Sequence, residues 1–192
     1  VRVSTDNDDT MDLDNLTSIS NIVIRNGDDD DTMDITNIAS ETIEVQTGNA
    51  AGSDVIGEVT FALADATGTS DSAAVTITSR FDGTSNAVTN LEYDDVETVS
   101  LTVNHAAAIT TAANQVVTLT SVDADAAATI NLAGNADIVV TFDDAVADQV
   151  INASAVTGSV DITYLQTADA TITGSAGDDT FTLTTAHDGS DV

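Results

Sequence analysis

Apolar residues recur along the chain as i, i+2 couples, at Met11/Leu13, Ile22/Ile24, Met33/Ile35 and Ile43/Val45, separated by 11, 11 and 10 positions. Such a couple places two side chains on one face of a strand, and the polar residues and turn formers between couples leave no helical period. The spacing returns at Leu119, Ile130, Val140, Ile151, Ile162, Ile172 and Phe181, which lie 11, 10, 11, 11, 10 and 9 residues apart. Their surroundings read VVTLT, ATINL, VVTF, VINAS, VDITY, ATITG and TFTLT. Alternating Thr, Val and Ile is the composition of a pleated, half-buried surface.

A strand–turn unit of about 9–11 residues is too small to bury its own apolar face, so the period predicts an all-β fold in which units stack as a β-solenoid. A β-sandwich of antiparallel hairpins is the alternative that the same spacing allows. Residues 48–90 break the rhythm with two longer strand-like pieces, EVTFALADA and SAAVTITSR, around a Gly-containing connection. They read as an irregular or hairpin insertion, or as two wider coils. The expected organisation is therefore acidic-turn repeats over 1–47, the interruption over 48–90, and a resumed solenoid over 91–192, where VETVSLTV echoes SETIEVQT. Residues 104–113, NHAAAITTAA, suit a short helix or a loop.

Composition narrows the partners. The 192 residues are 42% hydrophobic but only 3% aromatic, so the core is built from aliphatic side chains. There is no Pro, Cys or Lys, and the basic residues Arg2, Arg25 and Arg80 face 33 acidic ones, for a formal charge of −30. That charge argues against nucleic acid and anionic lipid as partners. No apolar run reaches the roughly 18 residues of a membrane span. The chain starts at Val1 without a signal-peptide-like segment and reads as a piece of a longer protein.

Of the acidic residues 28 are Asp and 5 are Glu. Short carboxylates beside Gly, Asn and Ser suit tight turns and compact cation sites. The sequence Asp8-Asp9-Thr10-Met11-Asp12 returns, identical, as Asp30-Asp31-Thr32-Met33-Asp34. Two strands per coil would bring Asp9 beside Asp31, about 4.8 Å along the stack, and a column of carboxylates invites cations. The candidate metal ligands are Asp8, Asp9, Asp28, Asp29, Asp30 and Asp31, with a second group at Gly174, Gly177, Asp178 and Asp179. YDDVE at 93–97 and FDDAVAD at 142–148 are weaker candidates.

The segment GSAGDDTFT, residues 174–182, resembles the G-G-x-G-x-D-x-U-x nonapeptide of RTX-type calcium-binding proteins: Gly174, Gly177, Asp179 and Phe181 match, and Ser175 replaces the second Gly. The resemblance implies Ca²⁺ held between successive turns. The wider texture, ETVSLTV, ATINLAGNADIVVTF and VINASAVTGSVDITY, resembles bacterial S-layer and large type I-secreted surface proteins. It implies a Ca²⁺-dependent structural block of an extracellular layer on the bacterial cell surface that associates with itself, with cell-surface polysaccharide engaged through sequence outside this chain. A stalk or spacer of a secreted adhesin or RTX exoprotein is the alternative.

Enzyme chemistry finds little support in the residues, and a polysaccharide-active β-helix is the one enzyme reading that they leave open. His105 and His187 lie in an Ala-rich stretch and a polar turn, no nucleophile elbow accompanies the many Ser and Thr, and a chain without Trp lacks the aromatic platforms of a glycosidase cleft. The sequons at Asn15 and Asn152 are ordinary in so Asn- and Thr-rich a chain.

Overall fold

The computed structural model describes residues 2–4, 8–14, 20–25, 32–39, 41–47, 53–80, 85–143, 148–166 and 169–183. Sixteen strands among them fall alternately into two sheets. The first sheet holds β1 (Arg2–Ser4), β3 (Asn21–Arg25), β5 (Thr42–Thr47), β7 (Ser72–Ser79), β9 (Thr98–His105), β11 (Thr129–Gly134), β13 (Gln149–Val156) and β15 (Ala170–Thr173), in that order. The second holds β2 (Asp9–Asp12), β4 (Thr32–Ile38), β6 (Ser53–Leu63), β8 (Ser85–Asp94), β10 (Val116–Asp123), β12 (Asp137–Phe142), β14 (Val160–Tyr164) and β16 (Thr180–Leu183), likewise in chain order.

Each coil thus contributes one strand to each sheet, and every strand pairing among the described residues is parallel. The fold is a β-solenoid with two strands per coil. Parallel neighbours cannot be joined by a hairpin, and here the opposite sheet supplies the crossover. The antiparallel sandwich is excluded by this pairing.

The apolar ladder maps onto the pairing. Leu119 pairs with Val140, Val140 with Ile162 and Ile162 with Phe181 in one sheet, while Ile130, Ile151 and Ile172 align in the other. Consecutive members of the series alternate between sheets and meet in the interior, except in the last coil, where Ile172 is half-buried and Phe181 exposed. Inward residues of β9, Val99, Leu101 and Val103, are fully or almost fully buried, and the outward ones are half-buried. Four aromatics lie inside: Phe61 and Tyr93 stack with centroids 4.9 Å apart, and Phe142 pairs in register with Tyr164. Burial pushes the Tyr93 phenol well above its ordinary pKa.

Coil length is not constant. In short coils Ile22 pairs with Ile43, and Ile130 with Ile151. In the longer coils between them Ile43 pairs with Val75, and Val55 with Ala87. The described residues of 48–90 therefore belong to wider coils of the same stack and not to a hairpin: β6 and β7 lie in different sheets. The extra length of one such coil forms the loop over 64–71, tied by Asp65 accepting from Thr67 and Asp71 accepting from the Gly68 N–H. The stretch at 104–113 ends β9, turns, and enters a 3₁₀ turn at Ala112–Asn114. No helix among the described residues is long and apolar enough to cross a membrane.

Candidate functional site

Two edges of the stack carry turns. On one, the chain passes from the first sheet to the second, through residues 135–136, 157–159 and 174–179 among others. Asp8 and the turn of Gly174, Gly177, Asp178 and Asp179 lie on this edge. Asp28, Asp29, Asp30 and Asp31 fall outside the described residues.

The expected Asp9–Asp31 juxtaposition does not follow from the register. Asp9 pairs with Met33, two positions beyond Asp31, and Met11 pairs with Ile35 in place of its own counterpart Met33. The repeated motif is displaced because the intervening coil is longer than two strand–turn units. Asp8 instead accepts a hydrogen bond from the Thr32 backbone N–H at 3.0 Å, at the first residue of the strand beside its own.

The 174–179 turn is closed by its own side chains. Asp179 accepts from the Ser175 N–H through Oδ2 at 2.8 Å and from the Val160 N–H through Oδ1 at 3.0 Å. The Ser175 hydroxyl lies 2.5 Å from Asp179 Oδ1 and 2.7 Å from the Gly158 carbonyl oxygen, and it accepts from the Gly177 N–H. Gly174 is required because a Cβ would run into Asp179 Oδ2, and Gly177 because a Cβ would lie 2.7 Å from Gly158 O. Burial raises the Asp179 pKa, but the donors from Ser175 and Val160 outweigh it and the net shift is downward. Asp178 is exposed.

The aspartates of this edge therefore share a role that appears only with the fold. Asp8 caps Thr32, Asp137 caps the Ser159 N–H at 2.8 Å, and Asp179 caps Val160, each bonding a backbone donor of the neighbouring coil where its second-sheet strand begins. They staple coil to coil. As arranged, the 174–179 turn does not fit a Ca²⁺ ion: both Asp179 oxygens face N–H or O–H donors, which a cation would have to displace. Among the described residues, no three His, Cys, Asp or Glu side chains converge closely enough to hold a metal ion.

Asp179→Ala should consequently loosen the last coil by about 1–2 kcal/mol, the scale of hydrogen bonds to a charged acceptor reduced by solvent screening. Amide exchange at Val160 and Ser175 should accelerate while that in the central coils stays unchanged; equal protection in parent and variant would refute the staple.

A second acidic feature lies on the outer surface of the second sheet. Each of its strands from β2 to β14 bears at least one carboxylate. Glu92 pairs laterally with Asp123, and Asn90 donates to Glu58 at 3.2 Å. Partial burial, then Asp94, Glu58 and Asp123, raise the Glu92 pKa; partial burial, then Asp95, Asp125 and Asp34, raise that of Asp94. Regular lateral pairing has forced like charges together. YDDVE contributes to this feature through Asp94, whereas FDDAVAD is described only in part.

These shifts fix the sign of a pH response. Glu92 and Asp94 bind protons more tightly when folded, so their stabilising contribution is complete below the ordinary carboxylate pKa and is lost as pH rises through their elevated folded values. Asp12, held down by the Asp14 N–H and then by Asn37, behaves oppositely, as does Asp179: their contributions are lost as pH falls through the depressed values. The melting temperature should rise on acidification from neutrality toward the upper carboxylate range and fall at more acidic pH. A melting temperature that only declines from pH 7 downward would contradict the raised pair.

Comparison with family models, with curated proteins and with solved structures finds no match to this chain.

Proposed function

We propose that this chain is a structural, self-associating block of a Ca²⁺-dependent extracellular layer on the bacterial cell surface. One observation carries the reading: among the described residues, eight two-strand coils run as one stack, with carboxylates ranked along one sheet. A cleft of about 350 Å³ beside β5 and β7 is lined by hydroxyl, small and apolar residues and has Glu41 as its single ionisable group, which leaves it without an acid–base pair. Such a stack supplies length and surface.

Calcium enters as the counter-ion between molecules. Bodies of net charge −30 repel, and divalent ions bridging carboxylates of the second sheet on neighbouring copies would turn that repulsion into attachment. The same elongated stack also suits a stalk in a large secreted adhesin.

Electron microscopy separates the two readings. An array block should give ordered sheets in Ca²⁺ that dissolve in EGTA; dispersed single rods in both conditions would move the assignment to the stalk.

A further inference from the structure

The two sheets differ sharply in charge. In a chain with 33 acidic residues, the strands β7, β9, β11, β13 and β15 contain no Asp, Glu, Lys or Arg. Each second-sheet strand opposite, from β8 to β14, carries at least one carboxylate. The outward positions of the uncharged sheet form lateral rows: Ala74 pairs with Ser100, Ser100 with Asn131, Asn131 with Asn152 and Asn152 with Thr173. A neighbouring row, two positions upstream, runs from Ser72 through Val150 to Thr171. Short, β-branched and amide side chains on parallel strands make a surface that hydrogen-bonds without charge; at its β7 end Ser72, Ala74 and Ser100 also line the cleft at whose margin Glu41 lies.

We infer that this uncharged face of the first sheet, from β7 to β15, is a self-pairing surface on which a second copy of the chain docks face to face. The inference rests on the self-association proposed above and assigns it a surface. Charge selects the occupant. Two molecules of net −30 can approach closely only where no carboxylates oppose one another, and the second sheet does not offer that. A two-fold pairing presents the same patch from both partners, so a patch uncharged on one is uncharged on the other. The rows also meet the packing requirement, since small side chains on two level sheets interdigitate at about 10 Å.

The area sets the strength. Five strands at about 4.8 Å span about 24 Å, and about six residues of strand length add about 20 Å, for a footprint of about 500 Å² per copy. Counting both partners gives about 1,000 Å², the lower limit for a specific interface. A weak, reversible dimer is the consequence, suited to a unit that gains its permanence from a lattice.

The test is sedimentation velocity of the whole chain across a dilution series, in NaCl with EGTA so that divalent bridging plays no part. Asn131→Asp and Asn152→Asp each place a carboxylate on the face with almost no change of shape; Thr141→Asp and Thr163→Asp do the same on the second sheet, and circular dichroism checks that all four fold. The parent and the Thr variants should form a concentration-dependent dimer, and the Asn variants should remain monomeric at every concentration at which the parent dimerises. A parent that stays monomeric in EGTA overturns the self-pairing face while leaving calcium-driven assembly untouched. Dimers that persist in Asn131→Asp and Asn152→Asp overturn it as well. A monomeric parent that co-sediments with an insoluble neutral polysaccharide, and loses this in Asn131→Asp, would overturn it in favour of a glycan-binding face.

Discussion

Replacing Phe61 by Ala is expected to destabilise the fold by about 3–5 kcal/mol, the usual cost of emptying a fully enclosed aromatic site. Phe61 is completely buried, aligns with Ile35 on one side and Tyr93 on the other, and stacks on the Tyr93 ring. Neighbours on parallel strands are fixed by the hydrogen-bond ladder and cannot collapse far into the void, so most of the cavity cost persists. Position within the stack matters as much as residue type. Phe181 ends a different inward row, which runs through Ile162, Val140, Leu119 and Val88 to Ile56, and in the last coil it remains 44% exposed, so Phe181→Ala should cost only about 1 kcal/mol. Urea midpoints of the two variants should differ accordingly; equal losses would mean that the coils are not stacked in this order.

Gly134→Ala should be nearly as damaging, and for a backbone reason. Gly134 ends β11 with φ of +125°, a conformation that L side chains rarely adopt, and a Cβ there would drive into the Val103 carbonyl of the adjacent strand. The register slips between Asn131 and Ala133 just before it, so this glycine sits where β13 takes in an extra residue against β11. Its carbonyl also receives the Thr157 N–H at 2.9 Å, which ties the next turn to the same atom group. Backbone strain of about 1–3 kcal/mol and steric overlap of about 1–3 kcal/mol combine to roughly 2–6 kcal/mol. Gly68→Ala provides the contrast. There a Cβ meets only the end of the Asp71 side chain, which can turn away by giving up its hydrogen bond from the Gly68 N–H, and the change should cost no more than about 1 kcal/mol. Thermal unfolding of both variants checks this, and a silent Gly134→Ala would show that the turn can relax in a way the Val103 approach forbids.

The sequence carried the fold through one feature, the i, i+2 couples at a spacing of about 10 or 11. Because each coil holds two strands, that spacing is half a coil, and Leu119, Val140, Ile162 and Phe181 align at twice it. The opening repeat misled for the same reason. Asp8 to Asp12 and Asp30 to Asp34 are identical in sequence, but the coil joining β2 to β4 advances two positions further, to bring Met33 and not Asp31 beside Asp9. Turn length is set by loop residues that have no apolar period, and register is therefore hidden wherever turns vary.

The candidate site was legible only in its residue types. Asp179, Gly174 and Gly177 do meet in one turn, as the RTX-like spacing suggests, but what the carboxylate accepts depends on the Val160 N–H, far back along the chain on the neighbouring coil. Asp137 lies alone inside NADIVV, with no local signal of a role; it becomes a staple once Ser159 stacks beside it. The charge difference between sheets was equally hidden. The strand SAAVTITS of β7 and the strand DIVVTF of β12 differ in charge by a single Asp, and only the assignment of alternate strands to opposite sheets gathers such differences into a neutral face and an acidic one.

The most direct measurement of the central claim is the sedimentation coefficient of the chain in CaCl₂ and in NaCl at matched ionic strength. Screening alone weakens repulsion equally in both solutions, whereas bridging requires a divalent ion. Association should stop at the dimer in NaCl, continue to large assemblies in CaCl₂, and reverse on addition of EGTA. Identical distributions in the two salts would contradict a calcium-bridged, self-associating block.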